Sequence, residues 1–555
     1  MVLDKKKNLL TTIFIPEDAD RVTKFAALEL KKYLRKITEV EFSIKEKKNF
    51  NFPPKYPSIL IGSNKTSSTT FDGFTISTQN NKIFINGNNP RSTLYGVYDF
   101  LEILGCKFIE PGIEKIPKLK TISIPYINKK GVADFPLRNI FRTTSAIQKN
   151  VKFEALNPDL VLPQIDWMAK RKLNHYEFYV DYYRYDLWEK NKNKILDALL
   201  DRGFDIEVTS HSIHYFCPPD ENHDFGDYGV ETYQKNHPEW YIPALECGAR
   251  GRWQTRVELP EVQNIITRRY LNYIRRNPEL KIIGLWPDDI PMNAPYKKLN
   301  HADGYLKFWN RIGKCLLEEF PGKLVGIIGY MELLKPPKKV TGGINLHCWF
   351  CPMEENWMYP ITDERNKKFL NYLKGWIDKM PPYQVAIFEY YGESQEFIPF
   401  REKMKKDLPA YKEIKLGGIY GWAGFGYNIL GREYRWALDF FVLTHLLWNT
   451  EKNIKTLEEI WAETVFGNTV GPYILDFYDL VKKEYQKETK KGLVHIYQWI
   501  SLDVLHKIQK ILSSARKKAI NPETIRRIDL LEKTACYGCT EEMWRTGQPR
   551  KYFGL

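Results

Sequence analysis

The sequence predicts an α/β protein built on a (β/α)8 TIM barrel, preceded by a small α+β domain and followed by a helical C-terminal domain. Three observations carry that expectation. Between residues 131 and 450, eight short apolar runs alternate with amphipathic helical stretches, the count that closes a parallel barrel. Before them the chain mixes strand and helix patterns, and after residue 450 it reads as helix upon helix. The expected units are 1–130, 131–450 and 451–555.

In the first unit, Thr11 to Pro16 reads as a strand and Asp18 to Thr38 as a helix, with Phe25, Ala26, Leu28, Leu30 and Leu34 at helical spacing. Strands follow at Ser58 to Gly62, Phe74 to Ile76 and Lys82 to Gly87, then a helix from Pro90 to Leu104, and the unit closes near Ile127.

The barrel strands are expected at Leu137 to Phe141, His175 to Val180, Asp205 to Thr209, Lys281 to Trp286, Leu324 to Ile328, Ile344 to Trp349, Gln384 to Phe388 and Gly417 to Gly421. Strands buried on both faces lose the polar alternation of half-exposed ones, as these do. Helices are expected at Pro163 to Lys172, Leu187 to Leu200, Pro260 to Arg276, Gly304 to Phe320, Glu364 to Lys379, Phe397 to Ile414 and Tyr434 to Leu447. The fifth connection, through Pro336-Pro337, has no helical pattern. The last unit reads as helices Ile454 to Val465, Val470 to Lys487, Tyr497 to Ala519 and Pro522 to Cys536, a cap without evident chemistry.

Composition narrows the function classes. With 555 residues, 43% of them hydrophobic, the chain can bury a large core. Its aromatic share of 14%, including 15 Trp and 34 Tyr, suits a large core or platforms for flat ligands such as sugar rings. Net charge is +15, but the lysines are scattered over helices without interleaved aromatics, so no nucleic-acid partner is expected. Abundant Lys and Glu resemble proteins of hot environments. No apolar run reaches membrane-spanning length and no h-region follows the first charges, so no membrane partner is expected. The location expected is cytoplasmic, or exported with a signal peptide trimmed. Two CxxC pairs, Cys348/Cys351 and Cys536/Cys539, could in principle close a zinc site. They lie far apart and the first sits on an apolar strand pattern, so buried thiols are the expectation, with no metal and no cofactor.

Chemistry concentrates at Asp288-Asp289, which end the run Ile282-Ile283-Gly284-Leu285-Trp286. Adjacent carboxylates can divide acid and base roles; a bare Asp pair is otherwise a helix cap or a solvated loop. Its place at the end of the fourth strand, where barrel enzymes carry their chemistry, favours the first reading. Other strand ends supply Asp181, His211, His214, Glu332, Trp349, Glu389, Tyr390, Tyr391 and Trp422. Carboxylates with stacking aromatics suit a carbohydrate site. His211 and His214 could be a metal pair, but no third ligand is evident, which leaves sugar hydroxyls or packing. Tyr390, Tyr391 and Trp422 divide between core and ligand. Asp181 and Glu332 read as loop or cap carboxylates, whereas Glu389, buried at a strand end, needs a partner or a job.

Several segments together resemble the group named domain of unknown function 4838, which includes glycoside hydrolase family 163: Gly105-Cys106-Lys107-Phe108 with Pro111-Gly112, His211-Ser212-Ile213-His214-Tyr215-Phe216-Cys217-Pro218-Pro219, His237-Pro238-Glu239-Trp240-Tyr241, Trp286-Pro287-Asp288-Asp289 and Phe388-Glu389-Tyr390-Tyr391-Gly392. The resemblance implies an N-terminal domain like those before family 20 and family 67 glycosidase barrels, and an endo-β-N-acetylglucosaminidase acting on an oligosaccharide or glycan. Its chemistry would be substrate-assisted, the 2-acetamido oxygen attacking the anomeric carbon. By position, Asp288 would polarise the acetamide and Asp289 would be the general acid/base. Of the residues at the strand ends, His211, His214, Trp349, Tyr390 and Trp422 are the ones expected to bind substrate. Where the family pattern has Asn then Asp, this chain has two Asp. Two alternatives stand beside this reading. One is a barrel glycosidase, including an α-glucuronidase-like one, in which Glu389 is nucleophile or base; the other is a glycan-binding protein without catalysis.

Overall fold

The computed structural model describes residues 2–4, 12–48, 50, 58–63, 70–140, 142–144, 158–180, 185–219, 232–243, 253–289, 301–391, 397–421, 434–490 and 500–535. Its centre is a sheet of parallel strands: His175–Tyr179, Asp205–Thr209, Ile282–Gly284, Leu324–Gly329, Leu346–Phe350, Val385–Glu389 and Gly418–Gly421, in that order across the sheet. The first strand is divided. Leu137–Asn139 pairs with the eighth strand and Arg142–Thr144 with the second, so one interrupted strand joins the two edges and makes a nearly closed barrel of eight. An edge-free sheet satisfies its backbone groups internally.

Helices cover the outside where apolar periodicity placed them, among them Pro260–Arg276, His301–Glu319, Lys367–Lys379, Arg401–Glu413 and Ala437–Trp448. The second connection holds two short helices, Asp186–Asn191 and Leu196–Asp201, in place of one long one. The fifth has a single 3-10 turn, Met331–Leu333, as the Pro336-Pro337 pair implies. Beyond the barrel, Ile454–Lys490 bends at Gly467, whose φ of 79° breaks helical geometry, and helices Leu502–Lys518 and Pro522–Ala535 follow.

The N-terminal unit is a mixed six-stranded sheet with helices Arg21–Thr38 and Pro90–Ile103 packed on it. Two edge strands of it, Ser43–Lys47 and Asn128–Val132, carry mostly exposed polar residues and had no apolar signal. This unit docks on the N-terminal face of the barrel. Asp72 meets Arg138 of the first strand at 2.6 Å and accepts from Asn174 at 3.0 Å, while Arg91 meets Asp205, the first residue of the third strand, at 2.7 Å. With that face covered, the C-terminal face remains for chemistry.

Candidate active site

The fourth strand ends early, and the chain runs on without regular structure as Leu285-Trp286-Pro287-Asp288. Side chains and loops take up the carbonyls along this extension one after another. Gly284 O accepts from the Tyr185 hydroxyl at 2.8 Å and from Ser212 Oγ at 2.9 Å. Leu285 O accepts from Trp309 Nε1 at 2.8 Å, and Trp286 O from the backbone N–H groups of Ser212 and Ile213 at 3.0 and 3.1 Å. Pro287 O accepts from His211 Nδ1 at 2.7 Å, and Asp288 O from Gln254 Nε2 at 2.9 Å. Gly284 is required here, because a Cβ would sit 2.0 Å from Thr209 Oγ1. Five consecutive carbonyls are thus fixed by donors from the second, third and fourth connections, and the acidic pair is delivered on a rigid stalk.

The two carboxylates have different surroundings. Asp288 is buried, with Oδ1 accepting from the Asp289 backbone N–H at 3.0 Å and Oδ2 3.9 Å from Nδ1 of the buried His214. Asp289 is half-buried and lies near the Tyr330 hydroxyl, whose pKa is raised first by burial and then by the Asp289 carboxylate. Tyr330 therefore stays a neutral donor. Around the pair stand aromatic rings: His211 lies edge-on to Trp286 at 5.7 Å and 6.2 Å from Tyr330, with Tyr179 6.4 Å from Trp286. Because His211 gives its Nδ1 proton to a carbonyl, its neutral tautomer presents Nε2 as an acceptor.

Other expected site residues fall elsewhere. Trp349 is buried inside the barrel, donating to Glu207 Oε1 at 2.8 Å across the lumen and packing edge-on against His347 and Tyr420. It is a plug below the site. Its neighbour His347 is pushed down to about 4, first by burial, and so is neutral. Lumen-facing Trp349 pairs with Ala386, and Tyr420 with Phe388, so Phe388 faces inward and Glu389, one residue on, faces the helices. There Glu389 accepts from the Tyr411 hydroxyl and from Lys403 Nζ at 3.2 Å, and Lys403 also meets Asp407 at 2.6 Å and Glu355 at 3.0 Å. Glu389 thus has partners in helix Arg401–Glu413 and is not brought together with Asp288 and Asp289. Tyr391 is buried, and Tyr390 is half-buried and stacked on Trp357 at 5.2 Å. Asp181 and Trp422 lie outside the described residues, as do Cys536 and Cys539. Cys348 and Cys351 are buried thiols, and among the described residues no cluster of His, Cys, Asp and Glu could hold a metal ion. No described helix is long and apolar enough to cross a membrane.

A family model described as Domain of unknown function (DUF4838) matches residues 108–479, more than half of the 555-residue chain. The chain belongs to the DUF4838 family. No curated protein matches it. Among solved structures, this DUF4838 protein is similar to BtGH115A, described as a family GH115 4-O-methyl-α-glucuronidase with specificity for decorated arabinogalactans (TM-score 0.60, 12% identity, 96% of this chain and 71% of that one). It is similar to a GH138 enzyme targeting pectin rhamnogalacturonan II (TM-score 0.60, 12% identity, 95% and 85%). A third is the Flavobacterium johnsoniae chitobiase FjGH20 (TM-score 0.51, 12% identity, 96% and 89%). At such identities the likeness is one of fold: these barrels share an architecture and differ in chemistry.

Gln254, which fixes Asp288, carried no sequence signal. It lies on a hairpin, Tyr241–Pro243 with Trp253–Thr255, inside the long third connection. Its spacing to the Asp pair is set by folding and not by chain order.

Proposed function

We propose that this protein is a glycoside hydrolase that cleaves β-linked N-acetylglucosaminides with retention, the substrate's 2-acetamido group acting as nucleophile. The observation that carries the reading is the adjacent pair on its fixed stalk, Asp288 enclosed beside His214 and Asp289 half-exposed beneath Tyr330. Asp288 accepts the acetamide N–H and steadies the positive charge that develops on it. The acetamide oxygen attacks C1, the C1–O bond to the leaving group breaks, and Asp289 gives its proton to the departing oxygen. Asp289 then takes a proton from water as it opens the cyclic intermediate, which restores the acid and leaves the β-configured sugar. A place in glycoside hydrolase family 163 is part of this reading and rests on the order of the motifs.

The alternative with Glu389 as nucleophile is set aside because that carboxylate faces the helix layer and is held by Lys403 and Tyr411. A substrate panel tests the proposal. Aryl β-N-acetylglucosaminides should be hydrolysed and the matching β-glucosides and α-glucuronides should not; equal turnover of the glucoside would sink it. Binding of glycans with no turnover of any of these would support the reading as a binding protein.

A further inference from the structure

The fifth barrel strand ends in a turn built around Tyr330. Tyr330 itself stays extended, and its carbonyl accepts from the Leu333 N–H at 2.9 Å. Met331, next in the chain, has a φ of 50°, in the left-handed region that a residue with a Cβ avoids. Such strain persists only where the surroundings impose it, and here it turns the chain away immediately after Tyr330. Strand alternation puts Tyr330 on the same side as Ile328, which pairs with lumen-facing Trp349, so the Tyr330 side chain faces the barrel mouth.

Its hydroxyl has two acceptors for one proton. It donates to Met353 Sδ at 3.4 Å, and the Asp289 carboxylate also acts on it. Met353 sits in the loop after the sixth strand, in a turn closed by the Glu355 N–H on Pro352 O at 2.9 Å. That loop is clamped. Glu355 meets Lys403 at 3.0 Å and the Ile361 N–H donates to Asp407 at 2.8 Å, both partners lying on helix Arg401–Glu413. Buried Asn366 ties the loop to itself, its Oδ1 accepting from the Asn356 N–H at 2.9 Å and its Nδ2 donating to Tyr359 O at 3.0 Å. The sulfur is thus held in a fixed place beside the hydroxyl.

A thioether is a weak acceptor and an ionised carboxylate a strong one. The difference gives the hydroxyl two settings. While Asp289 carries its proton, Tyr330 donates to Met353; once Asp289 has given that proton up, the new charge draws the hydroxyl to itself. Tyr330 keeps its own proton throughout, because burial and the Asp289 charge hold it neutral.

We infer that Tyr330 is a positioning residue for the acid step, its hydroxyl resting on Met353 before proton transfer and turning to the new Asp289 carboxylate as the leaving group departs. The inference rests on the reading of Asp289 as the general acid and deepens it, since the loop after the sixth strand supplies the resting acceptor.

The test is kcat/KM for phenyl and 2,4-dinitrophenyl β-N-acetylglucosaminides, with wild type, Asp289→Asn, Tyr330→Phe, Met353→Leu and the Tyr330→Phe/Met353→Leu double variant compared and each variant's melting checked. Departure of phenol needs the acid's proton, and departure of dinitrophenolate does not. Tyr330→Phe should lower the phenyl value about tenfold, the effect of one hydrogen bond to a charge, and the dinitrophenyl value by no more than about twofold. Met353→Leu keeps the volume and removes the rival acceptor, so the hydroxyl favours the Asp289 that has already lost its proton. The phenyl value should then fall about two- to fivefold. In the double variant Met353→Leu should cost nothing beyond Tyr330→Phe, because no hydroxyl is left to place. The inference is overturned by equal losses on both substrates, by no loss in Tyr330→Phe, or by a Met353→Leu effect that persists without the hydroxyl. If Asp289→Asn also lowers both substrates equally, the acid role falls with it; if Asp289→Asn is selective for the phenyl substrate and Tyr330→Phe is not, the acid role stands and only this inference falls. Should the sugar hydrolysed be another, the same two leaving groups on that sugar decide the inference while the N-acetylglucosaminide reading falls.

Discussion

Gln254 donates from its side-chain amide to the backbone carbonyl of Asp288 at 2.9 Å, so a residue of the third connection fixes the chain that carries the acid pair on the fourth strand. Gln254→Ala removes that donor without touching either carboxylate. Because a shift of about 1 Å at a reacting group can cost about 100-fold, kcat should fall by about 10- to 100-fold while KM changes little. Steady-state kinetics with a melting curve on the same sample check this; an unchanged kcat would make the hairpin a bystander.

The two carboxylate candidates separate cleanly by mutation. Asp289→Asn should lower kcat by about 100- to 10,000-fold with the fold intact, the usual range for a lost general acid. Glu389→Gln should leave kcat near wild type, since it keeps an acceptor for Tyr411 and relieves a cluster in which three carboxylates share Lys403. Lys403→Met, which strands those carboxylates, should by contrast destabilise the protein by about 3–5 kcal/mol in urea unfolding.

The same cluster gives a pH signature. Glu355 is pushed up to about 8, chiefly by burial, with Lys403 opposing and Glu389 and Asp407 adding to it. The folded protein therefore keeps a proton that the unfolded chain releases above its ordinary value of 4.5. More protons bound in the folded state means that stability falls as pH rises through this window and levels off above it. Urea midpoints of wild type and Glu355→Gln across the window check the sign: the wild type should lose stability relative to the variant as pH rises.

At the opposite face, Asp72 is held well below its usual range: burial alone would raise it, but Arg91 and Arg138 overcome that. Its contribution is present above the ordinary carboxylate range and is lost as pH falls below it. Asp72→Ala leaves Arg138, which has no solvent exposure, without its carboxylate, and should cost about 3–5 kcal/mol. Thermal melts should show this loss without any change in KM, because the contact lies at the far end of the barrel.

Much of the barrel was legible because its strands are buried on both faces and write themselves as unbroken apolar runs such as Leu324–Gly329. The Asp pair was legible for the same reason, as polar residues that end one of those runs. Ser43–Lys47 was not, since an exposed edge strand needs no apolar pattern. Glu389 shows a second limit: one residue of register decides whether a strand-end acid faces the lumen or the helices, and the apolar run is the same in either case. Trp349 shows a third, because an aromatic at a strand end can plug the barrel as easily as line its mouth. Gln254 acts on Asp288 from 34 residues away in a loop, a relationship made only by tertiary folding.

In the proposed reaction the substrate supplies its own nucleophile beside Asp288 and Asp289. The most direct measurement is kcat/KM for a series of aryl β-N-acetylglucosaminides whose acetamido methyl carries zero to three fluorines, since each fluorine weakens the acetamide oxygen as a nucleophile. The rate should fall with every fluorine, by about tenfold or more across the series, equivalent to about 1.4 kcal/mol in the barrier. A kcat/KM that does not change with fluorination would contradict the account.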